Sequence, residues 1–393
     1  MTTTSAPKVI VIGGGFTGIA TAYDLSLRGF QVTLVERGSL LSGTSGRTHG
    51  LLHSGARYVA HDLESAVECY KENLILKRLM PDLLEKNDGL FVGIDDSDLA
   101  YAGMFEAGCK NAGIPFQQLT RDEALTLEPA LTSTIQAAYR VEDAVFDPLR
   151  LAYVFAASAQ AHGALFNPFN EMTGLITNSS RKVLGVIVND HTRHLTKEVY
   201  ADFVVNATGA WVGEVLRPQD ISLPVIPTPG VMVAYLGRKT NCVINRLNLP
   251  GDGDILLPQR RMTVVGTTFY TVEQFDHIPA EKDQVDLMLQ RGIELIPELA
   301  TAPVRGIFTA TRPLIQSGIG RSIARTFKCF DHEELDGFFN LVSISGGKAT
   351  TLRLMAEKTS DLVCSKLGFG ESCRTAETPL HSYREFNLTQ VYS

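Results

Sequence analysis

"KVIVIGGGFTGIATAYDLSLRGFQVTLVER", residues 8–37, is the stretch that decides the fold. Its opening apolar run, 8–12, has no polar alternation, as expected of a strand covered on both faces. The run enters GGGFTG, residues 17–28 read as a helix, and QVTLVER, 31–37, reads as a second strand, so the whole is a βαβ unit. Gly13, Gly15 and Gly18 form G-x-G-x-x-G between strand and helix, the setting in which this motif signifies a bound dinucleotide. Glycine lets the turn tighten and the backbone approach a pyrophosphate, whose charge meets free amides and the positive end of the helix dipole. Thr17 lies on the first helical turn. Glu36 ends the second strand, where a carboxylate can accept from ribose hydroxyls, with Arg37 beside it. The motif alone does not choose between NAD and FAD.

Two later stretches favour FAD. "VVNATGAW" sets Ala207, Thr208 and Gly209 after an apolar strand, suited to a second backbone approach to the same dinucleotide. "ISGGKATT", 344–351, is a third glycine turn that opens a helix. The N-terminus of that helix would stabilise the negative charge of a reduced flavin, with Lys348 adding a further positive charge.

Outward from these motifs the chain alternates between two kinds of territory. Residues 63–79 carry a helical apolar period that stops at Pro81, and "NDGLFVGI" reads as a strand entering a different region. A helix is expected over 149–161; "RKVLGVIVND" and "EVYADFVVNATGAW" read as strands returning to the nucleotide-binding sheet. Prolines 224, 227 and 229 mark a second departure into a strand-rich region with one helix, 280–295. "GFFNLVSISGGKATTLRLMAEKTSDLVCSKL" closes the chain as strand, glycine turn and long helix. The expected organisation is therefore α/β with interleaved domains: 1–84, 146–224 and 316–393 for the nucleotide, 85–145 and 225–315 for the substrate.

A formal charge of −7 and a pI near 5.8 argue against non-specific nucleic-acid binding, which needs basic surface. A phosphate-bearing ligand must meet local charge instead. The N-terminus lacks the basic-then-apolar pattern of a signal peptide, and the longest stretch without charge, 151–170, is broken by Gln160, His162, Asn167 and Pro168, so a cytoplasmic protein without a transmembrane segment is expected. None of the six cysteines forms a C-x-x-C pair, which gives neither a zinc nor an iron–sulfur pattern and leaves reduced thiols; no metal is expected.

Positive charge is concentrated in "GRTHGLLHSGARY", 46–58, which contains two arginines, two histidines and no acid. It follows the second strand, where a chain leaving the sheet passes along the cofactor. The small and hydroxyl residues of "SGTSGRTHG" suit contacts to pyrophosphate and flavin.

"IGGGFTGIATAYDLSLRGFQVTLVER", "GRTHGLLHSGARY", "FDPLRL", "NATGAW", "TRPLI" and "SISGGKATTLRLMAE" together resemble the FAD-dependent glycerol-3-phosphate dehydrogenases, above all the catalytic subunit of the anaerobic type. The similarity runs in order from about residue 8 to 367. It implies a Rossmann-like FAD-binding domain of the glutathione-reductase type, within the D-amino-acid-oxidase-like superfamily, interleaved with an α+β substrate domain built on a mostly antiparallel sheet.

By resemblance, Thr44, Ser45, Gly46, His49, Gly50, Leu51, Met172, Trp211, Ala349 and Thr350 join the glycine-motif residues, Glu36, Arg37, Ala207, Thr208, Gly209, Gly346, Gly347 and Lys348 around FAD. Arg57 and Arg312 match arginines that hold the substrate phosphate in relatives, a task that suits a bidentate guanidinium. Tyr58 and Lys348 complete the expected substrate contacts. The implied reaction oxidises a secondary alcohol, with a hydride passing to flavin N5 and a base taking the hydroxyl proton. His53 is the first choice for that base, with Lys348 or His49 as alternatives.

Two departures matter. Relatives carry a further C-terminal region, cysteine-bearing in the anaerobic type, so the electron acceptor stays open among quinone, oxygen and a partner subunit, with peripheral membrane association through a partner. "PTPG", 227–230, stands where relatives often have a basic residue before glycine, which leaves a close phosphorylated or phosphonate analogue open as substrate. Two other functions fit the residue types. One is an oxidase or dehydrogenase of a 2-hydroxy acid or amino acid, since arginine binds carboxylate as well; the other is a flavin-binding assembly protein without chemistry.

Overall fold

In a computed structural model, residues 5–270, 272, 276, 278–316 and 326–387 are described. Packing divides the chain into two compact units, Met1–Gly46 with Leu149–Ile226 and Arg312–Ser393, and Arg47–Pro148 with Pro227–Thr311.

The first unit is built on a six-stranded sheet in the order Phe327–Asp331, Leu341–Gly346, Phe203–Asn206, Lys8–Ile12, Gln31–Val35, Leu165–Asn167. Its pairs are parallel apart from that between Phe327–Asp331 and Leu341–Gly346. Val9, Ile10, Val11 and Ile12 are all buried, which is why the strand shows no alternation. Helices Phe16–Leu27 and Leu352–Leu367 pack together, so the beginning and end of the chain share one layer.

One expectation is corrected here. "RKVLGVIVND" does not return to this sheet. Val183–Asp190 pairs antiparallel with Asn170–Thr177 and with Leu195–Tyr200 in a separate three-stranded sheet, and the main sheet regains the chain only at Phe203–Asn206. The burial of Val183–Asp190 alternates, as suits a strand covered on one side, not both.

The second unit is built on an eight-stranded sheet: Val304–Ile315, Val225–Leu236, Met262–Gly266, Ile255–Gln259, Val243–Arg246, Gly89–Gly93, Ala137–Val141, Phe116–Leu119. Val243–Arg246 runs parallel to Gly89–Gly93, while the other pairings recorded among its strands are antiparallel. Alternation sorts its side chains: Val231, Val233 and Tyr235 join Leu256, Val265 and the helix residues Met288 and Leu295 in one core, while Met232 and Ala234 turn the other way to Val264 and Phe308.

This division by packing differs from the expected division by ligand, which set the first boundary after residue 84. Leu51–Leu52 and Leu84–Glu85 both pair with Ala144–Phe146, and that small sheet ties 47–84 to the second unit. The later boundaries fall at 148/149, 226/227 and 311/312, against the expected 145/146, 224/225 and 315/316. Residues 1–4, 317–325 and 388–393 of the expected nucleotide segments lie outside the described residues.

Candidate functional site

Because five strands of the first unit's sheet run parallel, the turns after them leave the same carboxyl edge of the sheet. Gly13 to Gly15, Glu36, Ala207 to Gly209 and Gly346 to Lys348, remote from one another in sequence, are thereby gathered along one line. Open α/β sheets bind their ligands outside this edge.

The first turn is as tight as the motif requires. Gly13 has φ +107°, its amide donates to Val35 O at 2.8 Å, and an added Cβ would stand 2.6 Å from the carbonyl oxygen of Ala207. A Cβ on Gly18 would overlap the carbonyl oxygen of Gly13. Gly15 caps helix Phe16–Leu27 without a side-chain bond, and the Phe16 amide donates to Ser45 Oγ at 3.0 Å. Glu36 Oε2 accepts from the Gly14 amide at 2.7 Å and Oε1 from the Gly38 amide at 2.8 Å. Amides hold the carboxylate in place, and its remaining lone pairs suit ribose hydroxyls. A cradle closed to any Cβ, a helix N-terminus and a fixed carboxylate together fit a dinucleotide.

Around it, Arg37 stacks on Trp211, 4.6 Å from guanidinium carbon to ring centroid, and Trp211 also lies beside Gly43. Thr17 Oγ1 approaches Met355 Sδ at 3.9 Å. Gly46 packs on the carbonyl of Leu41, and Thr44 opens the helical turn before it. Met172 is buried in the apolar cluster of Ile10, Ile12, Val35 and Val186, so its side chain serves the core.

In the third turn Gly346 and Gly347 have φ +90° and +71°, and the Gly347 amide donates to Thr326 O at 3.1 Å. Lys348 then begins a helical turn, its amide donating to Thr351 Oγ1 at 3.2 Å, which Ala349 and the buried Thr350 carry into helix Leu352–Leu367. The helix thus presents its N-terminus at the same sheet edge.

Within the second unit the basic loop is pinned from below. Gly50, at φ +89°, passes so close to Phe146 O that a Cβ could not fit, and Gln259 Nε2 donates to both His49 O, at 2.9 Å, and Phe146 O, at 3.1 Å. The Leu51 amide donates to His49 Nδ1 at 3.1 Å, which leaves the ring proton of a neutral His49 on Nε2. Asn73 Nδ2 donates to the carbonyls of Leu52 and His53, at 3.3 and 3.2 Å. The Ser54 amide donates to Asp143 Oδ1 at 2.7 Å, and Asn245 Nδ2 to Asp143 Oδ2 at 3.2 Å. Burial pushes the Asp143 carboxyl above its ordinary range, while the Ser54 and Asn245 bonds and the Lys77 charge pull it back.

On that support His53 is buried, with Nε2 3.4 Å from the Tyr58 hydroxyl and its ring 6.4 Å from that of His49. Arg57 turns instead towards residues 251–254. Its Nη2 donates to Gly251 O at 3.3 Å and lies 3.5 Å from Asp254 Oδ2, while among the described residues Nη1 is buried with no hydrogen-bond partner. A buried guanidinium edge with donors to spare is suited to an anion's oxygens. Arg312 is half-buried on strand Val304–Ile315, at the start of the first unit's last segment.

Sequence reading missed Asp143, Asn73, Asn245, Gln259 and Asp254, which hold this loop. A signal was present for two of them: Asp143 and Asn245 interrupt the apolar runs "VEDAVF" and "CVINRL", and a polar residue at such a place must find a partner. Among the described residues no cluster of acidic, histidine or cysteine side chains could hold a metal ion, and no helix is long and apolar enough to cross a membrane.

Comparison with known proteins agrees with this geometry. The model of the FAD dependent oxidoreductase family matches residues 8–362. A subunit of the anaerobic glycerol-3-phosphate dehydrogenase of Haloferax volcanii is 41% identical over 98% of this chain and 68% of its own length. The corresponding subunit of the Escherichia coli K12 enzyme is 38% identical over 96% of this chain and 70% of its own length. Among solved structures, the glycerol-3-phosphate dehydrogenase of Bacillus halodurans complexed with FAD superposes with a TM-score of 0.71 at 25% identity, covering 95% of this chain and 68% of that one. A glycine oxidase from Geobacillus kaustophilus superposes with a TM-score of 0.74 at 20% identity, covering 96% and 99%, and shares the fold. By the glycine cradle, the three turns at one sheet edge and these relatives, the chain belongs to the FAD-dependent oxidoreductase family.

Proposed function

We propose that this protein is the catalytic, FAD-binding subunit of a glycerol-3-phosphate dehydrogenase, which oxidises the secondary alcohol of sn-glycerol 3-phosphate to the ketone. The observation that carries the reading is the buried Arg57 with Nη1 unpartnered among the described residues, on the same short loop as the His53–Tyr58 pair. Its support from outside the structure is the naming of relatives at 38–41% identity for this substrate.

In this reading the carboxyl edge of the first unit, with Gly13, Gly15, Thr17, Gly18, Glu36, Ala207, Thr208, Gly209 and Gly346 to Thr350, holds FAD, so that segments 1–46, 149–226 and 312–393 form the cofactor domain. Bound FAD supplies the two-electron acceptor. Arg57 binds the substrate phosphate, aided by Tyr58 and Arg312, and so fixes the distance of the alcohol carbon from the charged end. His53, its main chain held by the Asn73 amide and its ring set against Tyr58, takes the hydroxyl proton as the carbon is oxidised. Lys348 adds positive charge beside the helix N-terminus, where negative charge develops. Electrons leave to a quinone, a partner subunit or oxygen, and a partner would account for any association with a membrane.

The test is anaerobic titration of the purified flavoprotein with glycerol 3-phosphate, 2-hydroxyglutarate and glycine in parallel. Bleaching of the flavin band by glycerol 3-phosphate is expected. Bleaching by either of the others and not by glycerol 3-phosphate would transfer the arginines to a carboxylate and overturn the reading.

A further inference from the structure

Behind the turn Ala207 to Gly209 runs a chain of polar side chains within the first unit. His332, fully buried, has Nδ1 2.5 Å from Asp336 Oδ2 and Nε2 2.7 Å from Ser343 Oγ. Ser343 Oγ is 3.2 Å from Asn206 Nδ2, which also donates to Val212 O at 2.9 Å. Asn206 Oδ1 accepts from the Thr208 amide at 3.3 Å and from the Thr208 hydroxyl at 2.7 Å. From the same strand face, two residues beyond Ser343, Ser345 Oγ donates to Gly209 O at 3.1 Å.

The proton directions in this chain follow from donor capacity. The Asp336 carboxylate can only accept, so His332 carries its proton on Nδ1 and accepts at Nε2. Ser343 must therefore donate to His332 and accept from Asn206. Ser343, with no second proton to give, and Val212 O both require the nitrogen end of the Asn206 amide, and the opposite oxygen takes both Thr208 protons. Burial holds the His332 imidazole below its ordinary pKa against the pull of Asp336, in keeping with a neutral ring. The outcome is specific: the Thr208 hydroxyl hydrogen is committed inward, and the half-buried side chain offers only oxygen lone pairs outward.

Such a chain is a costly way to fill a core. Each member must be desolvated, and apolar side chains of the same volume would pack as well. Its two ends account for it. One is a partly exposed carboxylate, and the other is a turn at the carboxyl edge where the sheet binds its ligand.

We propose that His332 is a positioning residue for the cofactor. Through Ser343 and Asn206 it holds Thr208 as a pure acceptor, which receives a hydrogen bond from a polyol hydroxyl of FAD and not from a phosphate, whose oxygens have no proton to give. This rests on the reading that the Ala207 to Gly209 turn borders FAD.

The experiment strips the full chain of FAD and titrates it back, following flavin fluorescence, for wild type, His332→Leu, Thr208→Val and the double variant, with a thermal melt of each apoprotein. Loss of one hydrogen bond to the cofactor is expected to weaken FAD binding about tenfold in each single variant. The double variant is expected to be no weaker than Thr208→Val, because His332 acts through Thr208. Multiplying effects in the double variant would make His332 a merely structural residue and overturn the proposal, while unchanged affinity in Thr208→Val would remove the turn itself from the cofactor. Should His332→Leu fail to fold, Ser343→Ala breaks the same chain one link later. Repeating the titration with ADP separates the two hydroxyl sources: weakening with ADP and FAD places the contact at the ribose, weakening with FAD alone at the ribityl chain, and weakening with neither overturns the proposal.

Discussion

Arg57 and Asp254 face each other at 3.5 Å with side chains only 9% and 3% exposed, an ion pair buried within the second unit. Replacing Arg57 by Ala would remove the proposed phosphate contact and also strand a buried carboxylate. The expected outcome has two separable parts. Stability falls by about 3 kcal/mol, and the KM for glycerol 3-phosphate rises about 10²- to 10³-fold. Adding Asp254→Asn should return much of the stability, read by thermal melting, and none of the KM. A double variant that regained affinity would show that Arg57 serves the fold and not the anion.

Gly18 and Gly103 are both helical, and their environments predict opposite effects of the same change. An added Cβ on Gly18 meets the backbone oxygen of Gly13, which cannot yield without opening the turn, whereas one on Gly103, exposed in helix Asp96–Ala112, meets nothing within 4 Å. Gly18→Ala should cost more than about 2 kcal/mol and release FAD on gel filtration. Gly103→Ala should stabilise by about 0.5–1 kcal/mol, since alanine is the better helix former. Retention of FAD by Gly18→Ala would show that the close approach is not what the cofactor needs.

These glycines mark what the sequence could disclose. A glycine pattern between an apolar strand and a helix constrains backbone geometry directly, so the first βαβ unit and the three glycine turns were legible residue by residue. Strand partners were harder to read. "RKVLGVIVND" is as apolar as a central strand, and only the alternation of buried Val186 and Val188 with half-buried Ile187 and Asn189 points to a separate antiparallel sheet. The support of the basic loop was hardest, because Asp143, Asn73 and Asn245 act on it from distant parts of the chain. Nothing in a linear reading states which buried acid meets which amide.

His53 and Tyr58 make a further prediction. Their 3.4 Å contact is long for a hydrogen bond, so Tyr58 orients the imidazole more than it binds it. His53→Asn should lower kcat about 10²- to 10⁴-fold with little change in KM, and should flatten the acid limb of the pH–rate profile. Tyr58→Phe should leave that limb in place. A His53→Asn protein with an unchanged pH profile would pass the role of base to Lys348 or His49.

The Asp143 carboxyl supplies the last prediction, through its pH dependence. Its pKa in the folded protein is raised, chiefly by burial, so between the ordinary value of 3.8 and the raised one the folded state binds more protons than the unfolded state. Stability from this group is therefore fully present below the ordinary value and is lost as pH rises through the raised one, at up to about 1.4 kcal/mol per pH unit within that window. Asp143→Asn removes the titration while keeping an oxygen for the Ser54 amide. Its new amide hydrogens would meet Asn245 Oδ1, which among the described residues has no partner and needs only a turn of its own amide. Denaturant melts across the acid range should show the variant gaining on wild type as pH rises and levelling off above the window. Parallel curves for the two proteins would mean that Asp143 titrates alike in the folded and unfolded chains, because Ser54, Asn245 and Lys77 fully offset its burial.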